Sequence, residues 1–517
     1  MRSSKPAMVK YSSSIQNGLI TLDAKSETPL YRQLYNSLRK AILSGQLAPG
    51  TRLQSSREIA KELDVSRNTV VNAFEQLLAE GYLEGQVGSG TYVSRALPEE
   101  LLNVKTMTRR AVKSVGGKGP DLSERGKIFA TFAQSIPRAP ERVRAFQSGV
   151  PALDSFPFEA WSKIAARHWR RPANSLLGYG EPQGHAPLRL AIASYLGVAR
   201  AVQCTPEQVI IVDGAQMAFD LIARVLLDPG DTAWMEEPGY PGARAALIAS
   251  GARLVYVPVD KEGLDIAAGA RLDANARLIY VTPSHQFPLG MTMSLPRRLA
   301  LLEWASRAGA WVMEDDFDSE YRYEGRPIAS LQGLDNDGRV VYIGTFSKFL
   351  FPSLRLGYIV APPALVDAFI AARAMSGRHS PSVEQAILTD FIEEGHFGRH
   401  IRRMRMLYAE RQQLLLDALE RECGDLLEVE PSAAGIQLVA WLPAGLDDQE
   451  VSREAAAHGV EARPMSIFYA GKPRRGGLEL GYAAFNKSEI RKGAAQLSSI
   501  IRSCQELKRR ESRRRAS

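Results

Sequence analysis

The sequence predicts a multidomain protein, with a small helical unit closed by a β-hairpin followed by a large α/β body. Three observations carry that expectation. Helical apolar spacing and a Gly-rich turn occupy residues 26–95. Residues 96–143 are rich in Lys, Arg, Gly and Pro with little periodicity and read as a linker. Residues 144–507 then alternate apolar runs with helical patterns, the sign of helices packed on a mostly parallel sheet.

The 517 residues are 45% apolar and 24% charged, which excludes disordered, collagen-like and coiled-coil classes. No apolar run approaches the ~20 residues of a membrane span, and the start, MRSSKPAMVKYSSS, lacks the apolar stretch of a secretory signal. Cys204, Cys423 and Cys504 are far apart, so neither a disulfide framework nor a zinc cluster is expected; a cytoplasmic protein is. The net charge of +8 is uneven: +3 in residues 1–25, +1 in 26–95, +4 in 96–143 and +5 in the tail 508–517, leaving −5 for 144–507. Such ends suit a polyanionic partner, although solvated basic tails give the same pattern.

In the first zone Thr28 is placed to cap a helix with Pro29 at its first position, and Leu30, Leu34, Leu38 and Ile42 recur at helical spacing. Ser55 and Glu58 fit a capping box for a helix over 56–63. Ser66 can cap a third helix with an apolar face of Val70, Phe74, Leu77 and Leu78, and GYLEGQVGSGTYVS reads as two strands around a Gly turn. This is the winged helix-turn-helix pattern, whose second helix enters the DNA major groove by its N-terminus. Ser66, Arg67, Asn68 and Thr69 stand there; Arg suits guanine edges and Asn adenine edges. Ser55, Arg57 and the wing at Gly88, Gly90 and Thr91 suit phosphates. A three-helix protein-interaction unit would share the pattern. The stretch from PLYRQLYNSL through SSREIAKELDVSRNTV to GSGTYVS resembles the GntR family of bacterial regulators, which implies DNA as the partner. Gln54 stands where that family usually has Pro, and a basic wing residue is missing near Gln86.

Four segments of the body follow. VIIVDGAQMAFDLIARVL is a strand, then Asp213, Gly214, Ala215 and Gln216, then a helix whose free N–H groups can hold a phosphate; many such joints bind nothing. EEPGYPGARAAL sets Tyr240 on a loop, where its ring can stack on a flat cofactor or pack beneath the loop. AWVMEDDFDSEYRY ends a strand in Glu314, Asp315, Asp316 and Phe317, a place where α/β folds bind ligands; an Asp there can hold a pyridine nitrogen protonated, and an acidic metal cluster would look similar. VVYIGTFSKFLFPSLRLGYIVAP gives Thr345, Phe346, Ser347 and Lys348, with Arg355 seven positions on; a Lys so placed can form a Schiff base with an aldehyde.

Together these resemble the aminotransferase family of fold-type I pyridoxal-phosphate enzymes over most of residues 146–486. The resemblance implies pyridoxal 5'-phosphate, Lys348 as the Schiff-base and catalytic lysine, Asp315 at the pyridine nitrogen and Tyr240 stacked on the ring. It implies a phosphate cup of Gly214, Ala215, Gln216, Thr345, Ser347 and Arg355, and His285 (in VTPSHQFPLG) near the phenolic oxygen. Relatives usually have Tyr at Phe317 and an Arg for the substrate carboxylate about where Glu479 stands; Arg244 and Arg463 are the substitutes expected to bind an effector carboxylate. His396 and His400, four apart on a helix, are read as packing and not as metal ligands, and no metal is expected.

A GntR-like reader joined to an aminotransferase-like body resembles the MocR subfamily. That resemblance implies a homodimeric cytoplasmic regulator, on promoter DNA at the nucleoid, that senses an amino compound or pyridoxal phosphate by exchange at Lys348. The other reading is a working aminotransferase with a fused DNA module, so turnover stays open.

Overall fold

The computed structural model describes residues 20, 22–23, 26, 28–86, 90–95, 122–132, 144–323, 328–471, 473 and 475–516. The chain divides into two units, Met1–Asp121 and Leu122–Ser517.

In the first unit, α1 (Leu30–Leu43), α2 (Ser56–Glu62) and α3 (Arg67–Ala79) precede a hairpin of β1 (Leu83–Gln86) and β2 (Gly90–Val93). Leu34, Leu38, Ile59, Val70, Phe74, Leu77 and Val93 form its core. The capping box on α2 is present: the Glu58 N–H donates to Ser55 Oγ and the Ser55 N–H to Glu58 Oε2. Ser66 Oγ accepts from the Thr69 N–H at 3.1 Å and so starts α3. Between these helices Asp64 adopts φ +52°, a left-handed conformation that Asp tolerates better than most residues.

Two local expectations are corrected. Thr28 does not cap α1: Pro29 is the N-cap residue, without a side-chain bond, and its carbonyl accepts from the Arg32 and Gln33 N–H groups, which leaves Thr28 one position outside the cap with its carbonyl accepting from Gln33 Nε2 at 2.7 Å. Leu78 is exposed, because Val70, Ala73, Phe74 and Leu77 already complete the inner face, and a residue one step further turns about 100° away. Gly88 lies outside the described residues.

Within the segment read as a linker, Glu124–Phe132 is helical; residues 96–121 and 133–143 lie outside the described residues. The body's main sheet uses β3 (Val209–Val212), β4 (Thr232–Glu237), β5 (Arg253–Asp260), β6 (Gly263–Leu264), β7 (Leu278–Val281), β8 (Trp311–Asp316), β9 (Val340–Thr345) and β10 (Gly357–Val360), in the order β3-β10-β9-β8-β7-β4-β5-β6. The run from β5 to β9 is parallel. β10 is antiparallel to both neighbours, and β6 to β5. The loop from Thr345 to Gly357 is too short for a helical crossover, so the chain returns antiparallel.

The strands VIIV, LIYV and VVYIGT are buried throughout, as expected where helices cover both faces. Tyr280 and Ile343 meet Phe219, Ile222 and Leu247 on one side, whereas the adjacent Ile279 with Val312 meets Leu301 and Ala305 on the other. A second, antiparallel sheet orders β11 (Glu428–Val429), β12 (Gln437–Trp441), β14 (Gly477–Gly481) and β13 (Arg463–Pro464) as β11-β12-β14-β13. It shares its core with the long helices His396–Cys423 and Lys487–Ala516 through Leu415, Leu438, Leu480 and Ile501. Among the described residues no helix is long and apolar enough to cross a membrane.

Candidate functional site

A cavity of about 250 Å³ opens at the C-terminal ends of the parallel strands, and Asp315, Lys348, Tyr240 and Arg355 all line it. β8 delivers Asp315 as its next-to-last residue. Its Oδ2 accepts from the Tyr280 hydroxyl at 2.8 Å, and its buried Oδ1 has no partner among the described residues. Burial pushes this carboxyl up to about 7, with the Tyr280 bond opposing and Asp316 and Asp318 adding to the rise. β9 ends at Thr345, and the loop after it carries Ser347 and Lys348 into the same space. Lys348 Nζ donates to the Gly149 carbonyl at 2.9 Å. Loss of hydration lowers its pKa below that of an ordinary lysine, and the Arg463 guanidinium lowers it further.

The expected phosphate cup is brought together. Gly214, at φ +91°, is the N-cap of the helix Ala215–Leu226. A Cβ there would stand 3.2 Å from the Arg355 guanidinium, so only glycine admits that approach. Arg355 is itself left-handed, at φ +51°, and its Nη2 donates to the Asp213 carbonyl at 2.8 Å. Ala215, Gln216, Thr345 and Ser347 line the same end; Ser347 Oγ is buried without a partner among the described residues. Asp213 is braced by Arg373 at 3.2 Å.

Tyr240, the N-cap of the helix Pro241–Ser250, meets Phe287 edge-on at 5.3 Å. His285 is not among the cavity-lining residues. Its Nδ1 pairs with Asp318 at 2.9 Å and its Nε2 lies 3.3 Å from Ser432 Oγ, while its ring tilts on Phe317 at 5.8 Å. Phe317 and Phe287 make an apolar wall of the cavity.

The two candidate effector arginines separate. Arg244 does not line the cavity; its Nη2 donates to the Ile467 carbonyl at 2.9 Å. Arg463 does line it, but its Nε lies 2.7 Å from Glu479 Oε2, the residue directly opposite it in the β13–β14 pair. The Ser148 hydroxyl accepts from Arg463 and donates to Glu479 at 3.1 Å. Ser148, Gly149, Phe287 and Gln437 are lining residues that the sequence reading missed, because contacts spanning hundreds of positions leave no local pattern. His400 is buried, with Nε2 2.9 Å from the Phe349 carbonyl, and burial pushes it down to about 4. Among the described residues no group of three or more His, Cys, Asp or Glu side chains is arranged for a metal ion.

On the first unit, Ser55, Arg57, Ser66, Arg67, Asn68 and Gly90 are exposed, and Thr69 and Thr91 are half-buried. The hydroxyl of Ser66 is engaged in capping, 2.9 Å from Thr69 Oγ1 as well. Arg52 is a further basic residue here: its segment pairs with β2 through the Leu53 N–H to the Thr91 carbonyl, and its Nε lies 3.0 Å from where a Cβ on Gly90 would stand. Arg52 is exposed and stands beside β2.

Comparison with known proteins agrees with both parts. The model for aminotransferases of class I and II matches residues 143–497. That for bacterial regulatory proteins of the gntR family matches residues 30–93. The probable rhizopine catabolism regulatory protein MocR of Rhizobium meliloti is 45% identical over 93% of this chain and 96% of its own length. The pyridoxine biosynthesis transcriptional regulator PdxR of Corynebacterium glutamicum is 30% identical over 93% of this chain and 98% of its own. Among solved structures, the α-aminoadipate aminotransferase LysN of Thermus thermophilus, complexed with N-(5'-phosphopyridoxyl)-L-leucine, has a TM-score of 0.66 and 32% identity over 71% of this chain and 93% of that one. A gntR-type winged helix-turn-helix and an aminotransferase-type body in one polypeptide, matched over 93% of its length by such relatives, place this chain in the MocR family of regulators.

Proposed function

We propose that this chain is a transcriptional regulator that binds promoter DNA through residues 26–95 and holds pyridoxal 5'-phosphate in the body, 144–507, where it responds to a small amino compound or to the cofactor itself. The observation that carries this reading is the convergence of Lys348, Asp315 and Arg355 on one cavity in a chain that also bears a DNA reader.

The residues present fit the cofactor. Asp315 Oδ1 and Ser347 Oγ are buried and unpartnered among the described residues, and a glycine admits Arg355 to a helix N-terminus. When bound, pyridoxal phosphate supplies an aldehyde that amines engage and a ring that draws electrons. Lys348 would hold it covalently, its neutral amine favoured by the low-polarity walls. Asp315 would accept a hydrogen bond from the protonated ring nitrogen, and that cation would restore its ionised form. Tyr240 would cover the ring face. The amides of Ala215 and Gln216, the hydroxyls of Thr345 and Ser347 and the Arg355 guanidinium would hold the phosphate. His285, fixed by Asp318, would set the position of Phe317 behind the ring.

In the reader, Arg67 and Asn68 would meet base edges, with Ser55, Arg57, Ser66, Thr69, Gly90 and Thr91 on the backbone. A homodimer would present two readers to paired half-sites, joined to the bodies through 96–143, with the tail 508–517 adding salt-dependent attraction. Such a protein works in the cytoplasm, at the nucleoid when on DNA. An amine that binds better in one state of the body shifts the population and with it the DNA affinity. Turnover as an aminotransferase is the second reading, favoured by the intact Lys348–Asp315–Arg355 set; steady-state transfer from common amino donors would establish it.

The test uses the full chain. Loaded with pyridoxal phosphate, it should show a visible absorption band, and amines should change its DNA affinity in fluorescence anisotropy. Lys348→Ala should lose both the band and the amine response while keeping its melting transition. An unchanged band would overturn the assignment of Lys348.

A further inference from the structure

We infer that the compound bound beside Lys348 is a primary amine whose remaining polar groups are uncharged oxygens, hydroxyls above all, and not an amino acid carboxylate. This rests on the cofactor-holding reading above and deepens it.

Charge comes first. Apart from Lys348 and the cup residue Arg355, the cation lining the cavity is Arg463, and its charge is already matched. Glu479 is fully buried and lies 2.7 Å from Arg463 Nε, held opposite it by strand register. A carboxylate that drew Arg463 to itself would leave Glu479 buried and unpaired, a costly state. A carboxylate that did not would sit close to Glu479 with no counter-charge of its own.

The second observation is a waiting donor. Gln437 lines the cavity and is only 4% exposed, and its buried Nε2 has no hydrogen-bond partner among the described residues. An unmet buried donor is unfavourable until a ligand oxygen accepts from it. A second ammonium would find an acceptor in Glu479 Oε1, also buried and unpartnered among the described residues, but it cannot accept from Gln437 and would face the Arg463 guanidinium. A hydroxyl can accept from Gln437 and also bond Ser148. Tyr240, Phe287 and Phe317 supply the apolar remainder.

The amine end and the polar end are adjacent in the chain. Ser148 bonds the Arg463–Glu479 pair, and the next residue, Gly149, accepts from Lys348 Nζ. A compact amino alcohol therefore satisfies both ends at once.

The experiment titrates the full chain, loaded with pyridoxal phosphate, with three amines of equal length: 3-aminopropanol, β-alanine and 1,3-diaminopropane. Binding is followed by visible absorption and by calorimetry. We expect 3-aminopropanol to bind at least about tenfold more tightly than either of the others. Glu479→Gln should free Arg463 and move the preference toward β-alanine. Gln437→Ala should weaken 3-aminopropanol and leave 1,3-diaminopropane, whose ammonium cannot accept from the amide, unchanged. Equal or tighter binding of β-alanine or of the diamine by the unaltered chain, or binding of none of the three, overturns the inference, and this ranking stands even if a variant fails to fold. A chain that takes up no pyridoxal phosphate overturns the parent reading, whereas a loaded chain that prefers β-alanine overturns this inference alone.

Discussion

Asp315 carries an oxygen that nothing in the described chain hydrogen-bonds, and this has a consequence for pH. Its folded pKa of about 7 lies above the unfolded value of about 4, so the folded state binds the extra proton. The resulting stability is fully present below about pH 4 and is lost as pH rises through about 7. Melting of cofactor-free protein between pH 5 and 8 should therefore fall less for Asp315→Asn than for the unaltered chain; equal slopes would refute this. Glu236, Glu314 and Glu320, also raised to about 7, contribute to both slopes alike. On the reader, Arg67→Ala should cost roughly 1–3 kcal/mol on the preferred DNA sequence and less on others. Arg52→Ala, placed against the wing, should weaken all sequences alike and reduce the salt slope by about one. Anisotropy titrations at several salt concentrations separate the two, and a uniform loss for Arg67→Ala would make it a phosphate contact.

At the scale of the element, the start of α3 sets where Arg67 and Asn68 stand. Ser66 Oγ satisfies the Thr69 N–H, and Ser66→Ala should cost about 1 kcal/mol of the reader's stability, read by denaturant unfolding. A cost near zero would mean that solvent replaces the cap. Features of this kind were legible in the sequence because they are local: Ser55 with Glu58, Ser66 with Thr69, and the strand-to-loop joints that deliver Asp315 and Lys348. Thr28 failed as a cap because α1 starts one residue later, with Pro29 as its N-cap residue and the Pro29 carbonyl taking the Arg32 and Gln33 N–H groups. Arg244 and His285 do not line the cavity because the direction of each side chain is set by a partner elsewhere in the chain, the Ile467 carbonyl and Asp318.

For the whole molecule, the two-part architecture was legible from motifs alone, and the fold confirms an aminotransferase-type body behind a gntR-type reader. The antiparallel β10 belongs to a mixed sheet that apolar runs cannot reveal, since they do not record strand direction. The pair Arg463–Glu479 forms across β13 and β14 of the second sheet, and Ser148 reaches it from 331 positions away in the chain. Glu479 read as a missing arginine in the sequence; in the structure it is a present anion that neutralises the arginine opposite.

The last helix, Lys487–Ala516, has a mechanical consequence. At 1.5 Å per residue its 30 residues make a rod about 45 Å long. Lys508, Arg509 and Arg510 are exposed on its final stretch, so these charges are borne on a stiff arm and not on a loose chain that samples every direction. A loose chain spreads its field over a cloud; a rod points it. The final nine residues extend about 13 Å beyond Leu507, close to the screening length of 0.1 M salt. The molecule thus has an electrostatic heading as well as a net charge, one that dilute salt leaves legible at a distance and concentrated salt erases.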